Sequence, residues 1–184
     1  MIPRLIAVLG IVAASLPGQA IPGYPSVSGE LSFDASATLG DFTGSTTALS
    51  GRLEGAASLA GVRGSVEAPA RSLVTGNGKR DRDMYKSLEV ERFPVLRFDL
   101  DALAAGGADG DSIPVTLRGR FTIHGVTNTH AVPGWAWVGP TSVRFRGRVP
   151  MNVKHYDIGG LSKVLGLLKM DEEIVVRIDV TFGR

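Results

Sequence analysis

Apolar and polar residues alternate along most of the chain, and this period of two is typical of strands that bury one face. The residues on the apolar phase are Leu31, Phe33, Leu49, Gly51, Leu53, Val66, Ala68, Ala70, Leu96, Phe98, Leu100, Val115, Leu117, Gly119, Phe121, Ile123, Val143, Phe145, Gly147, Val149, Ile174, Val176, Ile178, Val180 and Phe182. A further strand is predicted from about Thr129 to Val138. Pro133-Gly134 within it favours a bulge, so the phase of Trp135 and Trp137 stays open.

Two segments depart from this alternation and predict short helices. The first runs from Asn77 to about Val90, with Asn77 as a candidate N-cap and a polar first turn. The second, Gly159 to Met170, carries an apolar stripe at helical spacing. The remaining pattern amounts to about eight strands, and such meanders usually close into a barrel that removes exposed edges. A barrel of this size either fills its own interior or holds one small ligand.

The first residues of the chain have the features of a secretory signal. Arg4 precedes an apolar run from Leu5 to Ala14, and Gly18 and Ala20 form a small-x-small cleavage pattern. The run is shorter than the roughly 20 apolar residues of a membrane-spanning helix. We therefore expect residues 1–20 to be removed as a signal peptide, and residues 21–184 to form one barrel domain that is periplasmic or secreted.

Composition and motifs give little support to catalysis. The chain has no cysteine and a net charge of +2. His124, His130 and His155 are scattered without the spacing of metal ligands, and neither a nucleophile elbow nor a P-loop is present. We expect no enzyme, no metal or other cofactor, and no nucleic-acid partner, since the chain lacks a basic run interleaved with aromatic residues.

Arginines cluster on the outward phase of two predicted strands. They are Arg118, Arg120, Arg144, Arg146 and Arg148. One interpretation is a basic outer stripe that favours anionic lipid headgroups. The other is cross-strand pairing with Glu54, Glu67, Asp99 or Asp179 on a solvated face.

Several positions on the inward phase are small. They are Gly51, Ala68, Ala70, Gly119 and Gly147. Such residues predict either space for a guest or a packed core in which small and large side chains interdigitate. Because water fills an apolar cavity poorly, a real void would favour a hydrocarbon guest.

Two blocks in the middle of the chain, read together, resemble a known family. The first is TGNGKRDRDMYKSLEVERFPVLRFDL, from Thr75 to Leu100, and the second is FTIHGVT, from Phe121 to Thr127. In this order and spacing they resemble the YceI-like family of periplasmic lipid-binding barrel proteins, and the segment YDIGG from Tyr156 to Gly160 also fits. The resemblance implies an all-β fold, an eight-stranded antiparallel lipocalin-like barrel with two short helices, that binds polyisoprenoid chains in its interior. The family often opens with a histidine-serine strand, whereas Phe33 to Ala37 has no histidine, so no ligand contact made by that histidine is carried over.

The resemblance and the strand phase together predict which side chains contact a ligand. They are Phe33, Leu53, Val66, Leu96, Phe98, Leu117, Phe121, Val143, Phe145, Leu161, Leu165, Leu168, Val176 and Ile178. The segment from Gly159 to Met170 is expected to cap one mouth of the barrel, as a gate for lipid entry or as a static plug.

The expected function is that of an exported, non-enzymatic protein that holds an isoprenoid-like lipid, with transient contact to a membrane surface. A polyprenol, a polyprenyl phosphate and a quinone tail all satisfy the pattern, and the oligomeric state is not predicted. The alternative is a packed barrel without bound lipid that serves as an interaction module of the cell envelope, in a stress-related role. A continuous apolar tunnel would support the first, and a filled core with an exposed apolar patch would support the second.

Overall fold

Strands dominate the computed structural model, which describes residues 21–58, 61–159, 162–163 and 168–184. The described elements are β1 (Ser26–Ala37), β2 (Phe42–Thr46), β3 (Ser50–Glu54), β4 (Arg63–Pro69), α1 (Gly78–Ser87), β5 (Val95–Ala105), β6 (Ile113–Ile123), β7 (Val126–Val138), β8 (Ser142–Asn152), β9 (Ser162–Lys163) and β10 (Leu168–Gly183). Short 3-10 turns follow β4 at Ala70–Ser72 and β8 at Val153–Tyr156. The predicted signal peptide, residues 1–20, lies outside the described residues.

All the strands pair in antiparallel fashion within one curled sheet. Its order is β2-β1-β10-β8-β7-β6-β5-β4-β3, and β9 pairs with the start of β10. The residues before β1 bridge the two ends of this order. Tyr24 exchanges two backbone hydrogen bonds with Leu53 of β3, both 2.8 Å long, and Ile21 exchanges two with Ala56, at 2.7 and 3.0 Å. The sheet therefore curls into the predicted lipocalin-like barrel.

Each predicted strand is present, but the strand count and the second helix need correction. The described residues contain ten strands, because β2 and β9 were not predicted. The sequence of β2, FTGST, has one large apolar residue and no alternation to reveal it. In the segment from Gly159 to Met170, the described residues form β9 and the start of β10 rather than a helix. A short leucine-rich stretch fits either period, and its glycines disfavour a helix.

The first predicted helix is confirmed as α1. The side chain of Asn77 caps it by accepting hydrogen bonds from the backbone amides of Lys79 and Arg80, at 3.0 and 3.1 Å. Asp81 in the first turn accepts hydrogen bonds from the amide and hydroxyl of Thr75, at 2.8 and 2.6 Å. Leu88, just after the helix, is buried in the core. These contacts hold α1 across one end of the barrel.

A two-residue turn, His124-Gly125, joins β6 to β7. Both residues have positive φ, 52° and 75°, as a type I′ hairpin turn requires. The Nδ1 atom of His124 lies 3.0 Å from the carbonyl oxygen of Tyr156, and its Nε2 atom lies 3.2 Å from Oε1 of Glu89. Through Nδ1, His124 thus ties this turn to the 3-10 turn after β8, whereas its buried Nε2 approaches Glu89 without forming a hydrogen bond among the described residues.

Inward and outward side chains alternate along β7 without interruption. Its pairing with β6 runs without a shift from Val126 to Ala136, so Pro133-Gly134 inserts no bulge. Val132 and Ala136 are buried, whereas Trp135 and Trp137 lie on the outer phase. Trp137 stacks under the guanidinium of Arg144, whose carbon lies 5.8 Å from the ring centroid.

β7 and β8 pair only over part of their length. Their ladder runs from Val138–Val143 to Gly134–Gly147 and, within the described chain, goes no further. Pro133 is the next residue, and it has no amide to donate to a ladder. Beyond it, side chains fill the gap: the Tyr156 hydroxyl lies 2.9 Å from Nε2 of His130, and Nδ2 of Asn128 donates to the carbonyl oxygen of His155 at 2.7 Å. We call this gap the β7–β8 seam.

Ion pairs explain most of the outward-facing arginines. Arg144 and Arg146 both donate to Asp179, at 2.8 to 3.0 Å, and Arg120 donates to Asp101 at 2.9 and 3.1 Å. The hydrogen bonds from Arg144 are the main reason why the pKa of Asp179 is lowered. Pairing on a solvated face, rather than a free basic stripe, therefore describes these three arginines.

Candidate ligand-binding cavity

A large apolar cavity occupies the barrel. Its volume is about 1170 Å³, at or above the upper end of the roughly 300–1,000 Å³ typical of small-molecule sites. Side chains from β1, β4, β5, β6, β8 and β10 form its wall. Lining residues at both ends reach the surface, since Leu39 is 82% exposed at one end and Val138 is 62% exposed at the other. The lining therefore extends from one end of the barrel to the other, and we call this interior the tunnel; the packed-core alternative does not describe it.

The predicted contact residues surround this cavity wherever their side chains are described. They are Phe33, Leu53, Val66, Leu96, Phe98, Leu117, Phe121, Val143, Phe145, Val176 and Ile178. Leu161 and Leu165 lie outside the described residues, and Leu168 begins β10. The interpretation of that segment as a gate or a plug therefore stays a prediction. Contact of any of these residues with a ligand also stays a prediction.

The small inward residues do not create the space. None of Gly51, Ala68, Ala70, Gly119 and Gly147 lines the cavity. Phenyl rings cover three glycines of the wall instead: Phe33 lies over Gly44, Phe98 over Gly119 and Phe145 over Gly147. Enlarging Gly119 or Gly147 is therefore not expected to fill the cavity, because an added side chain would meet a ring and backbone before it reached open space.

A tyrosine-histidine pair forms a partly buried polar contact along the wall. Tyr156, which lines the cavity, is 1% exposed, and burial raises the pKa of its hydroxyl to about 12. Burial, and secondarily the charge of His155, lowers the pKa of His130. Both shifts favour the uncharged forms, so a neutral hydroxyl and a neutral imidazole share the hydrogen bond of 2.9 Å and the pair adds no charge to the cavity.

Charged side chains gather at one end of the tunnel, which we call the α1 mouth. It is formed by the turn 38–40, by Lys79, Arg80 and Asp83 of α1, and by Lys169. The amide and hydroxyl of Thr38 both donate to the carbonyl oxygen of Lys169, at 2.9 and 3.1 Å, which joins β10 to the turn. The guanidinium carbon of Arg80 lies 4.2 Å from the ring centroid of Phe42, which joins α1 to β2.

The opposite end, which we call the far mouth, is different. It is formed by the turn 138–140 together with Ala57, Ser58, Ala105 and Ile113, and the described lining residues there carry no charge. Sequence reasoning did not predict this difference in charge between the two mouths. The phase of a strand predicts which residues point inward, but not which helix or turn covers an open end. The only available signal was the basic run from Lys79 to Arg82, interrupted by Asp81, at the start of the predicted helix.

The described residues offer no constellation for metal-assisted chemistry. Among them, no group of three or more histidine, aspartate or glutamate side chains is arranged to hold a metal ion. The described part of the chain also contains no helix that is long and apolar enough to cross a membrane. What the fold does supply is an apolar tunnel with one charged and one uncharged end.

Fold and cavity define a class of protein, a curled antiparallel barrel that encloses an apolar tunnel under the helix α1. The model of the YceI-like domain matches residues 26–182, which is most of the chain. This protein belongs to the YceI-like family.

Solved structures agree with that assignment at the level of the fold. A polyisoprenoid-binding domain from Saccharophagus degradans, implicated in plant cell wall breakdown, superposes with a TM-score of 0.72 at 18% identity, over 89% of this chain and 98% of that one. BcnA from Burkholderia cenocepacia gives 0.68 at 17% identity, over 83% and 94%. A mutant of the Campylobacter jejuni YceI protein gives 0.58 at 16% identity, over 77% and 84%. No curated protein matches the chain with significance.

Proposed function

We propose that this protein is an exported, non-enzymatic carrier that holds the chain of an isoprenoid-like lipid inside the barrel. The observation that carries the proposal is the apolar tunnel of about 1170 Å³. The YceI-like family assignment and the fold shared with a polyisoprenoid-binding domain support it. The secretory features of residues 1–20 support export, since they include a charged start, an apolar run and a small-x-small site.

The size of the hydrophobic effect sets what length of chain binds usefully. Each buried CH₂ contributes about 0.8 kcal/mol, so a chain of about 20 carbons supplies roughly 16 kcal/mol. Association itself costs about 4–15 kcal/mol. Taking a cost of about 8 kcal/mol leaves a dissociation constant near 1 μM. Affinity is therefore expected to rise steeply with chain length until the tunnel is filled.

Native mass spectrometry and solvent extraction of the purified protein test the proposal directly. We expect a copurifying lipid, and we expect the protein from which it has been extracted to bind geranylgeraniol more tightly than the shorter farnesol. A protein that never carries lipid and binds neither alcohol would refute the proposal.

A pair of variants on neighbouring residues separates the interior from the surface. Leu117→Trp places a bulky ring in the tunnel and is expected to weaken geranylgeraniol binding. Thr116→Trp places the same ring on the exposed outer phase of β6 and serves as the matched control. Urea unfolding of both variants shows whether they are folded. Equal binding by the two folded variants would contradict the assignment of the lipid to the interior.

A further inference from the structure

The cations of the α1 mouth differ from those of the barrel wall. On the outer face, most arginines form an ion pair with a carboxylate. Arg97 contacts Glu67 and Asp99, Arg120 contacts Asp101, and Arg144 and Arg146 share Asp179. Lys79, Arg80 and Lys169 line the tunnel opening, and among the described residues none of the three forms an ion pair. Within the part of the chain that the structure describes, three cations without an ion pair therefore stand at the rim of an apolar interior.

The acidic groups near this rim do not neutralise it. Asp83 is the one carboxylate among the described lining residues, against the three cations Lys79, Arg80 and Lys169. Asp81 is occupied by the amide and hydroxyl of Thr75. Arg97 also borders the tunnel, but its guanidinium is held on the outer face by Glu67 and Asp99. The net charge of the described side chains that line the α1 mouth is therefore positive.

Arg80 is placed where the water-exposed rim meets the apolar interior. Its guanidinium stacks on Phe42 at 4.2 Å, and Phe42 packs edge-on against Phe33 with ring centroids 6.1 Å apart. Both phenyl rings line the tunnel. Stacking occupies the face of a guanidinium and leaves its N–H edge free, and that edge matches the oxygens of a phosphate or carboxylate. A lysine ammonium adds a point charge without fixed geometry.

We infer that the lipid carries an anionic headgroup, a phosphate, diphosphate or carboxylate, which is bound at the α1 mouth by Lys79, Arg80 and Lys169. This inference rests on the proposed function and narrows it. The apolar chain then runs from the α1 mouth toward the far mouth, whose described lining carries no charge. A neutral prenol or quinone leaves the three cations without a partner and binds more weakly.

The test compares geranylgeranyl monophosphate with geranylgeraniol, two ligands with the same chain. We expect the phosphate to bind at least about tenfold more tightly, the effect of one or two charge-assisted hydrogen bonds. We define the affinity ratio as the dissociation constant of geranylgeraniol divided by that of geranylgeranyl monophosphate. This ratio should fall as the salt concentration rises, because the screening length shrinks from about 10 Å at 0.1 M to about 3 Å at 1 M. Inorganic phosphate alone should give no saturable binding, since it lacks the chain.

Removing charge from the mouth should abolish the preference. In the triple variant Lys79→Gln, Arg80→Gln and Lys169→Gln, we expect the ratio of dissociation constants to fall to near one. The matched control removes the same charge from the outer surface, at Arg118→Gln, Arg148→Gln and Lys154→Gln, and should keep the ratio of the natural protein. The three single substitutions give the same readout if the triple variant does not fold.

The outcomes separate this inference from the function on which it rests. Equal affinity of the natural protein for the two ligands, or an unchanged ratio in the mouth variant, would overturn the anionic headgroup while leaving the lipid carrier intact. Saturable binding of inorganic phosphate that geranylgeranyl monophosphate does not displace would also overturn it, because the cations would then form an anion site unrelated to the tunnel. Failure of both lipids to bind would refute the carrier itself.

Discussion

Two glycines of the barrel wall, Gly44 and Gly147, lie beneath phenyl rings but differ in what lies behind the ring. A Cβ added at Gly44 would meet only ring atoms of Phe33 among its nearest neighbours. A Cβ added at Gly147 would lie 2.5 Å from Cζ of Phe145 and 2.8 Å from the carbonyl oxygen of Pro133. Each ring borders the open space of the tunnel, whereas the carbonyl belongs to the backbone of β7. The same substitution by alanine therefore has different costs at the two positions.

The expected magnitudes follow from these contacts. Replacing glycine by alanine stabilises a compatible site by about 0.4–1 kcal/mol, because the unfolded chain loses freedom. Overpacking against atoms that do not move costs about 1–3 kcal/mol. We expect Gly44→Ala to change the free energy of unfolding by less than about 1 kcal/mol and Gly147→Ala to lower it by about 1–3 kcal/mol.

Urea unfolding measured by circular dichroism checks the difference. With a slope of about 2 kcal/mol per molar urea, a loss of about 2 kcal/mol moves the midpoint by about 1 M. Phe145→Leu should not rescue Gly147→Ala, because the carbonyl of Pro133 remains in place. Equal midpoints for the two alanine variants, or full rescue by Phe145→Leu, would refute the reasoning. Gly44→Ala has a functional consequence too, since the displaced ring of Phe33 should weaken geranylgeraniol binding while stability is retained.

Three further changes test the elements around the tunnel. Asn77→Ala removes the acceptor for the amides of Lys79 and Arg80 and should lower the free energy of unfolding by about 1 kcal/mol; an unchanged urea midpoint would contradict the cap. Tyr156→Phe removes the contact of 2.9 Å with His130 and should cost about 1 kcal/mol in the same assay, whereas no loss would mean that the bond contributes nothing. Because burial lowers the pKa of His130 below its ordinary 6.5, the natural protein should lose stability as the pH falls from 6.5 through the lowered folded-state pKa, and His130→Gln should lose less; parallel melting-temperature profiles against pH would argue against this.

The strand phase was sufficient to predict the wall of the tunnel. Along β6, Leu117 and Phe121 point inward because successive side chains alternate between faces, and this local rule needs no knowledge of the partner strand. The same rule could not tell what a glycine does. Gly119 has the inward phase, yet the ring of Phe98 from the neighbouring strand covers it, and that contact depends on the register between β5 and β6.

The α1 mouth was beyond sequence reasoning for a related reason. The capping residue Asn77 indicates where α1 begins, but it does not predict where the helix lies over the barrel. Arg80 reaches Phe42 across 38 positions of the chain, and only the folded arrangement brings the two together. The helix predicted from Gly159 to Met170 failed because a short leucine-rich segment satisfies the helical and the strand period alike.

The β7–β8 seam divides the sheet into two groups of strands, which we call leaves, and only a short ladder joins them along it. One leaf is β2-β1-β10-β8, the other is β7-β6-β5-β4-β3, and the short ladder from Gly134 to Val138 joins them on this side. Widening the barrel elsewhere would break rungs of backbone hydrogen bonds. Widening along the seam would instead break side-chain contacts such as the one between Tyr156 and His130. Widening the barrel along this seam would therefore break fewer backbone hydrogen bonds than widening it between fully paired strands such as β6 and β7.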